Sequence, residues 1–442
     1  WLMKVCIETY GCHMNVYDSG LVMSILKKDG WMQAERLEDA DLILINTCSI
    51  RENAEQRVFG RLDVCLQQKK QREGLIVAVL GCMAQRMKDK LLEHPAVDLV
   101  VGPDSYRRMP ALIAGAITGE PVLETTLSHT ETYADMEPVR DDNGVTTFVS
   151  IMRGCNNMCS YCIVPYVRGP ERSRDPESII RECRNAFEAG YREVTLLGQN
   201  VDSYYWTSDE GPDSDMTFAR LLEEVAQISP LLRVRFSTSH PKDMSNAVLY
   251  SMALYPNICT HIHLPVQSGS DVMLEKMNRK YDRARYMDRI QKIREIVPDC
   301  SVTTDVIAGF CSESLEDHNQ TLDLLREVRF DSAFMFQYSM RPGTRAHRRF
   351  VDDVPEKEKT RRLSEIIDLQ TAISLERNRE HIGKSFEVLI EGVSKKNKDE
   401  LFGRTSGNKV CVFPAQGHRK GEYVKVTVDS CTSATLIGHI SE

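Results

Sequence analysis

Short apolar runs alternate with amphipathic segments along the first 126 residues. The runs at 4–9, 42–45, 75–80 and 97–101 are rich in Val, Ile and Leu, and the first three are each followed by a turn and a helix-length amphipathic segment. Continuous apolar runs are typical of strands buried on both faces, which occur in parallel sheets covered by helices. The pattern predicts an N-terminal parallel-sheet α/β domain over residues 1–126.

The periodicity disappears between residues 127 and 145, where acidic residues and threonines dominate, and this segment is predicted to be a linker. The same alternation then resumes, with amphipathic helices predicted at 176–190 and 283–297 and a long charged helix at 355–382. Six strands with intervening helices favour a partial (β/α)6 barrel over residues 146–382, with functional residues at the carboxyl ends of the strands. The six predicted strands are 147–152, 193–197, 233–238, 261–266, 303–308 and 332–338.

The last 60 residues have a third pattern. Short strand-like pieces at 385–393, 409–413, 423–428 and 434–440 are separated by glycine and charged residues. They predict a small C-terminal β-barrel over 383–442, of the size that an oligonucleotide-binding fold occupies. The chain is therefore predicted to be an α/β protein of three domains, which agrees with its 442 residues at roughly 150 residues per domain.

Composition narrows the class of protein. Fourteen cysteines are about 3% of the chain, far below the ~8–10% of a disulfide scaffold, so a reducing, cytoplasmic compartment is expected. The net charge of −8 argues against a wholly nucleic-acid-binding surface but leaves room for a local basic face. The longest apolar stretch is about half of a membrane span, so no membrane association is expected. Trp1 precedes Met3 at the start, which we interpret as an added or truncated end without function.

A Cys-x3-Cys-x2-Cys motif follows the first predicted barrel strand. Cys155, Cys159 and Cys162 lie within eight residues, a spacing that lets one loop bind three corners of an iron–sulfur cubane. The fourth iron is then open to an external chelating ligand, which predicts chemistry beyond electron storage. A structural zinc site is the alternative, but it needs a fourth Cys or His at matching spacing, and no His lies nearby.

A second group of cysteines is spread over the N-terminal domain. Cys12, Cys48 and Cys82 each come at the end of one of the first three predicted strands, with separations of 36 and 34 residues. Adjacent parallel strands bring such residues to one carboxyl edge of a sheet, where ligands bind in open α/β folds. We predict a second cluster with three protein ligands; three buried thiols that happen to align are the alternative. The remaining cysteines, interpreted as core or incidental thiols, are Cys6, Cys65, Cys183, Cys259, Cys300, Cys311, Cys411 and Cys431.

The Cys155–Cys162 motif resembles that of the radical S-adenosylmethionine (SAM) enzymes, whose 4Fe-4S cluster leaves one iron free to chelate the methionine moiety of SAM. The resemblance implies that Tyr161 lies near the adenine and that residues at four later strand ends form the cofactor pocket. Gly198 and Gly309 have strand-terminating turns as a simpler explanation. The cofactor residues implied are Tyr161, Gly198, Gln199, Asn200, Ser237, Gln267 and Ile307.

Over essentially its whole length the chain resembles the radical SAM methylthiotransferase family, most closely the bacterial MiaB type. The motifs that carry this resemblance are 9–15 (TYGCHMN), 46–51 (NTCSIR), 152–156 (MRGCN) and 165–169 (PYVRG). His13 stands where the type usually has glutamine, and Cys311 replaces a usual proline. The resemblance implies two 4Fe-4S clusters and two SAM molecules per turnover. It implies insertion of sulfur and methyl at carbon 2 of N6-dimethylallyladenosine at position 37 of tRNA, with an external electron donor and sulfur donor.

The C-terminal module resembles the TRAM domain, a small β-barrel associated with RNA binding. Basic residues there and after the last barrel strand are candidate phosphate contacts, although a solvated charged surface explains them equally well. These RNA-binding candidates are Arg341, Arg345, Lys395, Lys396, Arg404 and Lys420.

Three rival functions remain open on the sequence. Relatives with the same two clusters act on an aspartate of a ribosomal protein or on threonylcarbamoyl-adenosine in tRNA, and their barrels would look alike. The third is a non-catalytic iron–sulfur or RNA-binding protein. Arg153-Gly154 and Pro165-Tyr166 favour the prenylated tRNA substrate.

Overall fold

The computed structural model of the protein describes residues 3–49, 52–140 and 142–441. Trp1 and Leu2 of the expected added or truncated end lie outside the described residues, as do Ile50 and Arg51 of the motif around Cys48. The α-helices described are α1 His13–Lys28, α2 Glu52–Gln71, α3 Cys82–Met87, α4 Asp89–Leu92, α5 Met109–Ile117, α6 Val164–Arg168, α7 Pro176–Glu188, α8 Phe218–Ala226, α9 Asn246–Leu254, α10 Asp271–Lys276, α11 Arg283–Ile296, α12 Leu315–Val328, α13 Arg345–Arg349 and α14 Glu356–Arg379.

The strands include all the predicted ones and several short additional ones. They are β1 Lys4–Tyr10, β2 Met32–Gln33, β3 Leu42–Thr47, β4 Ile76–Gly81, β5 Leu99–Val101, β6 Val122–Glu124, β7 Thr146–Ser150, β8 Met152–Arg153, β9 Arg172–Ser173, β10 Glu193–Leu197, β11 Tyr205–Trp206, β12 Met216–Thr217, β13 Arg233–Ser237, β14 His261–His263, β15 Ser301–Ala308, β16 Ser332–Gln337, β17 Ser385–Val393, β18 Glu400–Thr405, β19 Val410–Pro414, β20 Tyr423–Cys431 and β21 Thr435–Ile440.

The chain divides into two compact units, and each is described by itself. Unit 1 consists of Trp1–Asp141, Met152–Asn156 and Cys162–Ser178. Unit 2 consists of Asp142–Ile151, Asn157–Tyr161 and Ile179–Glu442. Cys155 and Cys162 therefore belong to unit 1, whereas Cys159 belongs to unit 2.

Unit 1 is built on a parallel six-stranded sheet with the order β2-β1-β3-β4-β5-β6. All side chains of β3 and β4 are buried, which explains the near-continuous apolar runs in these strands. The four predicted strands and the parallel-sheet α/β class are confirmed. The edge strands β2 and β6 were not predicted, because two or three residues are too few to give a recognisable pattern.

Most of the segment predicted as a linker, up to residue 140, packs within unit 1, whereas 142–145 belong to unit 2, and its described residues form neither helix nor strand. The Tyr133 side chain is buried, and its hydroxyl donates a hydrogen bond of 2.9 Å to the carbonyl oxygen of Pro103. The Arg153 guanidinium lies 4.9 Å from the centre of the same ring. Composition alone did not reveal this packing, because one buried aromatic among many polar residues leaves no periodic pattern.

Unit 2 contains the six predicted barrel strands. They form two parallel three-stranded sheets, β7-β10-β13 and β14-β15-β16, and a bridge between Val234 and Ile258 continues the hydrogen bonding beside β13. Helices α7, α11 and α14 lie where they were predicted, and the Asp175 carboxylate accepts from the Ser178 N–H to cap α7. This arrangement confirms the partial (β/α)6 barrel.

The C-terminal residues of unit 2 form a closed five-stranded barrel with the order β17-β18-β19-β21-β20. The predicted small β-barrel is confirmed; β18 was missed because its sequence, ELFGRT, mixes charge and glycine with few apolar residues. Arg233 and Arg235, on β13, donate hydrogen bonds to carbonyl oxygens of this small barrel. It therefore packs against the amino ends of the barrel strands, the end opposite to the predicted cofactor residues. Within 3–49, 52–140 and 142–441, no helix is long and apolar enough to cross a membrane.

Candidate active site

Cys12, Cys48 and Cys82 lie at one edge of the unit 1 sheet. Strands β1, β3 and β4 are neighbours, and their last residues, Tyr10, Thr47 and Gly81, lie side by side in register. Cys48 and Cys82 follow their strands directly, and Cys12 lies two residues beyond β1 as the N-cap of α1. The structure thus brings the three thiols to the carboxyl edge that the sequence spacing predicts.

The environment of Cys12 favours a thiolate. A hydrogen bond from Cys48 lowers the pKa of Cys12 to about 6, with the Arg168 guanidinium and backbone N–H groups at the start of α1 acting in the same direction against burial. Burial raises the pKa of Cys82, although Arg168 opposes this effect. A thiolate is the form of cysteine that binds iron, so this set of donors suits metal ligation.

Two asparagines hold the strand ends around this site. The Asn15 amide donates to Asn46 Oδ1 at 3.1 Å, and the Asn46 amide donates to the Asn15 carbonyl oxygen and to Ser19 Oγ. In its thiol form, Cys12 donates from Sγ to Asn15 Oδ1 at 3.2 Å. Asn15 and Asn46 both lie in motifs that carry the family resemblance, and their contacts show a positioning function that sequence reasoning did not assign.

A buried network of charges lies behind the three thiols. Asp18, fully buried on α1, accepts hydrogen bonds from Arg153 at 2.9 Å and from Arg168 at 2.6 Å. Arg168 also donates from its Nε to Cys82 Sγ at 3.2 Å. Sequence reasoning placed both arginines within motifs but gave them no role. An aspartate on the apolar face of α1 was the available signal, because a buried carboxylate requires a partner.

The residues of this site fit an iron–sulfur cluster. Arg168 is buried, yet its Nη2 has no hydrogen-bond partner among the described residues, so a donor remains beside Cys82. No three His, Cys, Asp or Glu side chains in the described part of the chain converge closely enough for a single metal ion. Three thiols at neighbouring strand ends, with a buried guanidinium donor beside Cys82, form a donor set that suits an iron–sulfur cluster.

The second cysteine motif, Cys155 to Cys162, makes a different hydrogen-bonding contact in each unit. In unit 1, the Cys155 N–H donates to the Gly169 carbonyl oxygen at 3.3 Å. In unit 2, the fully buried Arg279 guanidinium donates to Cys159 Sγ and to the Tyr161 hydroxyl, both at 3.3 Å. Arg279 was missed, because a single arginine three residues after α10 carries no sequence signal.

Tyr161 and Ile307 belong to one side of the expected cofactor pocket. Both are partly buried against the same apolar cluster in unit 2, which also contains Cys311. Burial raises the pKa of Cys311, which is consistent with the core position predicted for it. Cys311, which departs from the usual proline of the family, therefore packs in the same apolar cluster as Tyr161 and Ile307.

Polar side chains at the other strand ends are buried with unused hydrogen-bonding capacity. Gln199 Oε1, Asn200 Oδ1 and Gln267 Oε1 have no partner within the described residues. Gly198, directly after β10, leads into this polar segment, and Ser237 ends β13 with its hydroxyl 3.3 Å from that of Thr238. Buried acceptors without donors indicate a missing polar ligand, and the amino and hydroxyl groups of SAM are such donors.

Asp202 lies two residues beyond Asn200. Burial raises the pKa of its carboxyl to about 7, and Asp243 adds to this, whereas the Ser239 side chain and the His240 backbone lower it. Both carboxylate oxygens are shielded from solvent. Asp202 therefore holds a proton near neutral pH, and no sequence motif pointed to it.

The expected RNA-binding residues fall into two groups. Arg404 pairs with Glu391 at 2.8 Å, and Lys420 donates to the Asn143 carbonyl oxygen at 3.0 Å, so both have structural partners. Lys395 and Lys396 lie exposed in the loop between β17 and β18. Arg341 lies before α13 and Arg345 is its first residue, and both are half-buried.

The sequence matches three family models in the order of its architecture. Residues 4–102 match an uncharacterized protein family, UPF0004; residues 149–325 match the radical SAM superfamily; residues 379–441 match the TRAM domain. Over 436 residues the chain is 54% identical to the tRNA-2-methylthio-N6-dimethylallyladenosine synthase of Bacteroides fragilis, covering 98% of this chain and 95% of that protein. The chain belongs to the radical SAM methylthiotransferase family, MiaB type.

Further relatives of this family extend the likeness. The synthase of the same name from Porphyromonas gingivalis is 51% identical over 443 residues, with 99% of this chain and 95% of that protein covered. Among solved structures, the radical SAM methyltransferase TsrM of Kitasatospora setae, with cobalamin and a [4Fe-4S] cluster bound, shares the fold. It has a TM-score of 0.59 at 13% identity and covers 78% of this chain and 77% of its own.

Proposed function

We propose that this protein is a tRNA methylthiotransferase that adds a methylthio group at carbon 2 of N6-dimethylallyladenosine at position 37. The observation that carries the proposal is the joint presence of two cysteine triads in a chain 54% identical to synthases of that name. One triad lies at three neighbouring strand ends, and the other lies within a radical SAM loop. A TRAM domain associated with RNA completes the chain.

An iron–sulfur cluster and SAM are the cofactors of the radical SAM family to which the chain belongs. We propose two 4Fe-4S clusters, one held by Cys12, Cys48 and Cys82 and the other by Cys155, Cys159 and Cys162. When bound, and with an electron from an external donor, these cofactors would supply radical chemistry and a methylated sulfur, at a cost of two SAM molecules per product. Radical chemistry suits the substrate, because no side-chain base removes the unactivated hydrogen on carbon 2 of adenine.

The residues of the chain position these groups. Arg168 and Arg279 each donate to a proposed ligand sulfur, and such hydrogen bonds tune the reduction potential of a cluster. Gln199, Asn200 and Gln267 offer buried acceptors to the polar groups of SAM, and Tyr161 is assigned to its adenine. The proposed clusters also require an external sulfur donor, because sulfur leaves with each product.

We place the reaction in the cytoplasm, where tRNA is available and where the fourteen free cysteines stay reduced. The two rival substrates, a ribosomal-protein aspartate and threonylcarbamoyl-adenosine, share the same chemistry. The B. fragilis and P. gingivalis relatives are named for dimethylallyladenosine, which favours the prenylated tRNA.

The test combines metal content with the modification itself. Anaerobically purified protein is expected to contain about eight irons and eight sulfides per chain, the content of two 4Fe-4S clusters. Nucleosides from the tRNA of a deletion strain should lose the methylthio group and recover it on complementation. Unchanged methylthio content in the deletion strain would contradict the proposed substrate.

Single cysteine substitutions separate the two triads. Cys159→Ala should abolish reductant-dependent 5′-deoxyadenosine, because it removes a ligand of the cluster assigned to SAM cleavage. Cys48→Ala should leave 5′-deoxyadenosine measurable and remove methylthiolation, with about four irons retained. Cys65→Ala, a buried thiol outside both triads, is the matched control and should keep both products. Equal loss of SAM cleavage in the first two variants would show that the proposed division of labour is wrong.

A further inference from the structure

A concave pocket of about 380 Å³ opens in unit 2 beside the radical SAM loop. Its volume is at the lower end of the ~300–1,000 Å³ typical of ligand sites. The pocket lies between α10 and α13, two helices brought together from distant parts of the chain. Its lining includes Ser160, Lys276, Asn278, Arg345, Arg349 and Phe350.

The pocket is strongly basic. Lys276 comes from the end of α10, and Arg345 and Arg349 come from the two ends of α13. Glu275 is the acidic residue in the lining, so these four side chains carry a net charge of +2 at neutral pH. In the described part of the chain, none of the three cations is in an ion pair. Lys276 also acts electrostatically on Asp317 and Asp353 behind the lining, so the two arginines carry most of the excess positive charge. Three cations against one carboxylate in the lining favour an anionic ligand.

Ser160 connects the pocket to the proposed cluster site. Its N–H donates to the Met277 carbonyl oxygen at 2.8 Å, and its hydroxyl donates to the Lys276 carbonyl oxygen at 2.7 Å. Its own carbonyl oxygen accepts from the Ala346 N–H at 2.7 Å. Residue 160 lies between Cys159 and Tyr161, so both helices of the pocket are fastened to the loop that carries these two residues.

The chemistry of the lining specifies the kind of anion. A guanidinium presents paired N–H groups that match phosphate oxygens, and an ammonium acts as a point charge for the same group. Phe350 is half-buried and Val272, also in the lining, is 57% exposed, so an apolar surface adjoins the charges. Phosphate next to sugar or base is the combination that a nucleotide offers.

We propose that this pocket binds a backbone phosphate of the RNA close to the reacting adenosine, with Lys276, Arg345 and Arg349 as its ligands. This inference rests on the proposed function, because it takes tRNA as the substrate. Since α10 and α13 are hydrogen-bonded to Ser160, a phosphate held here fixes the substrate strand relative to Cys159 and Tyr161. The site thereby determines which nucleotide reaches the radical SAM centre.

The assignment is tested by measuring the affinity of the cluster-loaded full-length protein for unmodified substrate tRNA at several salt concentrations. Arg345→Gln combined with Arg349→Gln should weaken binding by about 10-fold or more and reduce the slope of log K against log salt by about 0.7 for each phosphate that is no longer neutralised. A protein with only Arg349→Lys should keep most of the affinity that the double variant loses, because lysine keeps the positive charge. Arg184→Gln, an exposed arginine on α7 outside the pocket, is the matched control and should change neither quantity.

Ethylation of individual tRNA phosphates locates the bound phosphate. Ethyl groups on one or two phosphates of the anticodon loop should weaken binding to the wild-type protein and have no further effect on the double variant. If the double variant binds with wild-type affinity and slope, or if the phosphates to which it has become insensitive lie outside the anticodon loop, the pocket assignment is overturned. Competition by millimolar inorganic phosphate for the ethylation-sensitive interaction supports the assignment. If the double variant instead keeps its RNA binding but is reduced more slowly by an acidic electron-carrier protein, the pocket is the docking site of that protein and the assignment is overturned. A wild-type protein that binds no tRNA contradicts the proposed function itself.

Discussion

At the scale of single residues, each proposed cluster site contains one buried arginine that donates to a cysteine sulfur. Arg168 contacts Cys82 in unit 1, and Arg279 contacts Cys159 in unit 2. A buried guanidinium needs an anionic partner, and the two carboxylates of Asp18 and Asp104 supply two negative charges for the three buried guanidinium groups around them. These are Arg153, Arg168 and Arg172. The thiolates of the proposed clusters would provide the remainder, so cluster binding and charge balance would support each other.

Arg168→Lys should lower the reduction potential of the cluster proposed at Cys12, Cys48 and Cys82. Lysine keeps the positive charge near Asp18 but removes the planar donor to Cys82, and hydrogen bonds to sulfur stabilise the reduced cluster. Loss of about 1.4 kcal/mol of differential stabilisation corresponds to about 60 mV for a one-electron couple. The potential is measured by electron paramagnetic resonance titration in the Cys159→Ala background, with Arg184→Lys as the control. An unchanged potential would mean that the sulfur contact does not tune the cluster.

Asp202 predicts a pH dependence of stability. Its pKa is about 7 in the folded protein against an ordinary value of 3.8, so between these values the unfolded chain has released a proton that the folded protein keeps. Stability therefore falls as pH rises through this window, by up to about 4 kcal/mol in total, and levels off above pH 7. Asp202→Asn removes this effect, so its stability advantage over the wild type should grow by about 2 kcal/mol from pH 5.5 to 7.

Unfolding midpoints in urea across that pH range measure the effect of Asp202→Asn. Asp209→Asn is the control, because this nearby carboxylate is exposed and meets water in the folded and unfolded states alike. A constant difference between Asp202→Asn and wild type from pH 5.5 to 8 would contradict a protonated Asp202.

At the scale of elements, the ends of the strands place the chemistry. Gly81 ends β4 directly before Cys82 with a φ of +88°, a conformation that side chains rarely adopt. A Cβ atom there would lie 2.4 Å from Asn46 Oδ1, the atom that accepts from Asn15. Glycine is therefore required both by the backbone turn and by the asparagine contacts that hold the triad.

Gly81→Ala should destabilise the protein by about 1–3 kcal/mol and lower iron content at the N-terminal site. Gly60→Ala is a control of opposite sign: Gly60 lies in α2 with open space around its Cα, so alanine there should stabilise the helix by about 1 kcal/mol. Thermal unfolding and iron analysis of both variants check the pair. Equal stability of the two variants would exclude the steric argument.

The elements also show what the sequence could and could not reveal. Strands such as β3 and β4 were predictable because buried parallel strands have continuous apolar runs. The N-terminal cysteines were predictable because they recur at strand ends. Arg279, Asp202 and the packing of Tyr133 were not, because their partners lie far away in the sequence. Asn15 and Asn46 stood in recognised motifs, but only their mutual hydrogen bonds show what they do.

At the scale of the whole molecule, the architecture of unit 2 separates the predicted SAM-binding residues from the TRAM domain. The predicted SAM-binding residues lie at the carboxyl ends of the barrel strands, whereas the C-terminal barrel packs against their amino ends. The contact is polar. Arg233 donates to the carbonyl oxygens of Arg404 and Glu387. The Tyr423 hydroxyl donates to the carbonyl oxygen of Leu231 at 2.7 Å. Charged donors to backbone oxygens fix orientation, because their geometry is directional.

Arg233→Ala should loosen this packing without disturbing the radical site. It removes two hydrogen bonds of 2.7 and 2.8 Å and the stacking of the guanidinium on Tyr423, at a cost of about 2–4 kcal/mol. Trypsin should then cut faster near Lys384, at the start of the C-terminal barrel, and tRNA methylthiolation should fall several-fold. SAM cleavage in the absence of RNA should persist, because Arg233 lies at the opposite end of the barrel from Tyr161 and Gln267. Arg184→Ala should show none of these changes, and a parallel loss of SAM cleavage in Arg233→Ala would mean that the C-terminal barrel supports the catalytic fold as well as the RNA.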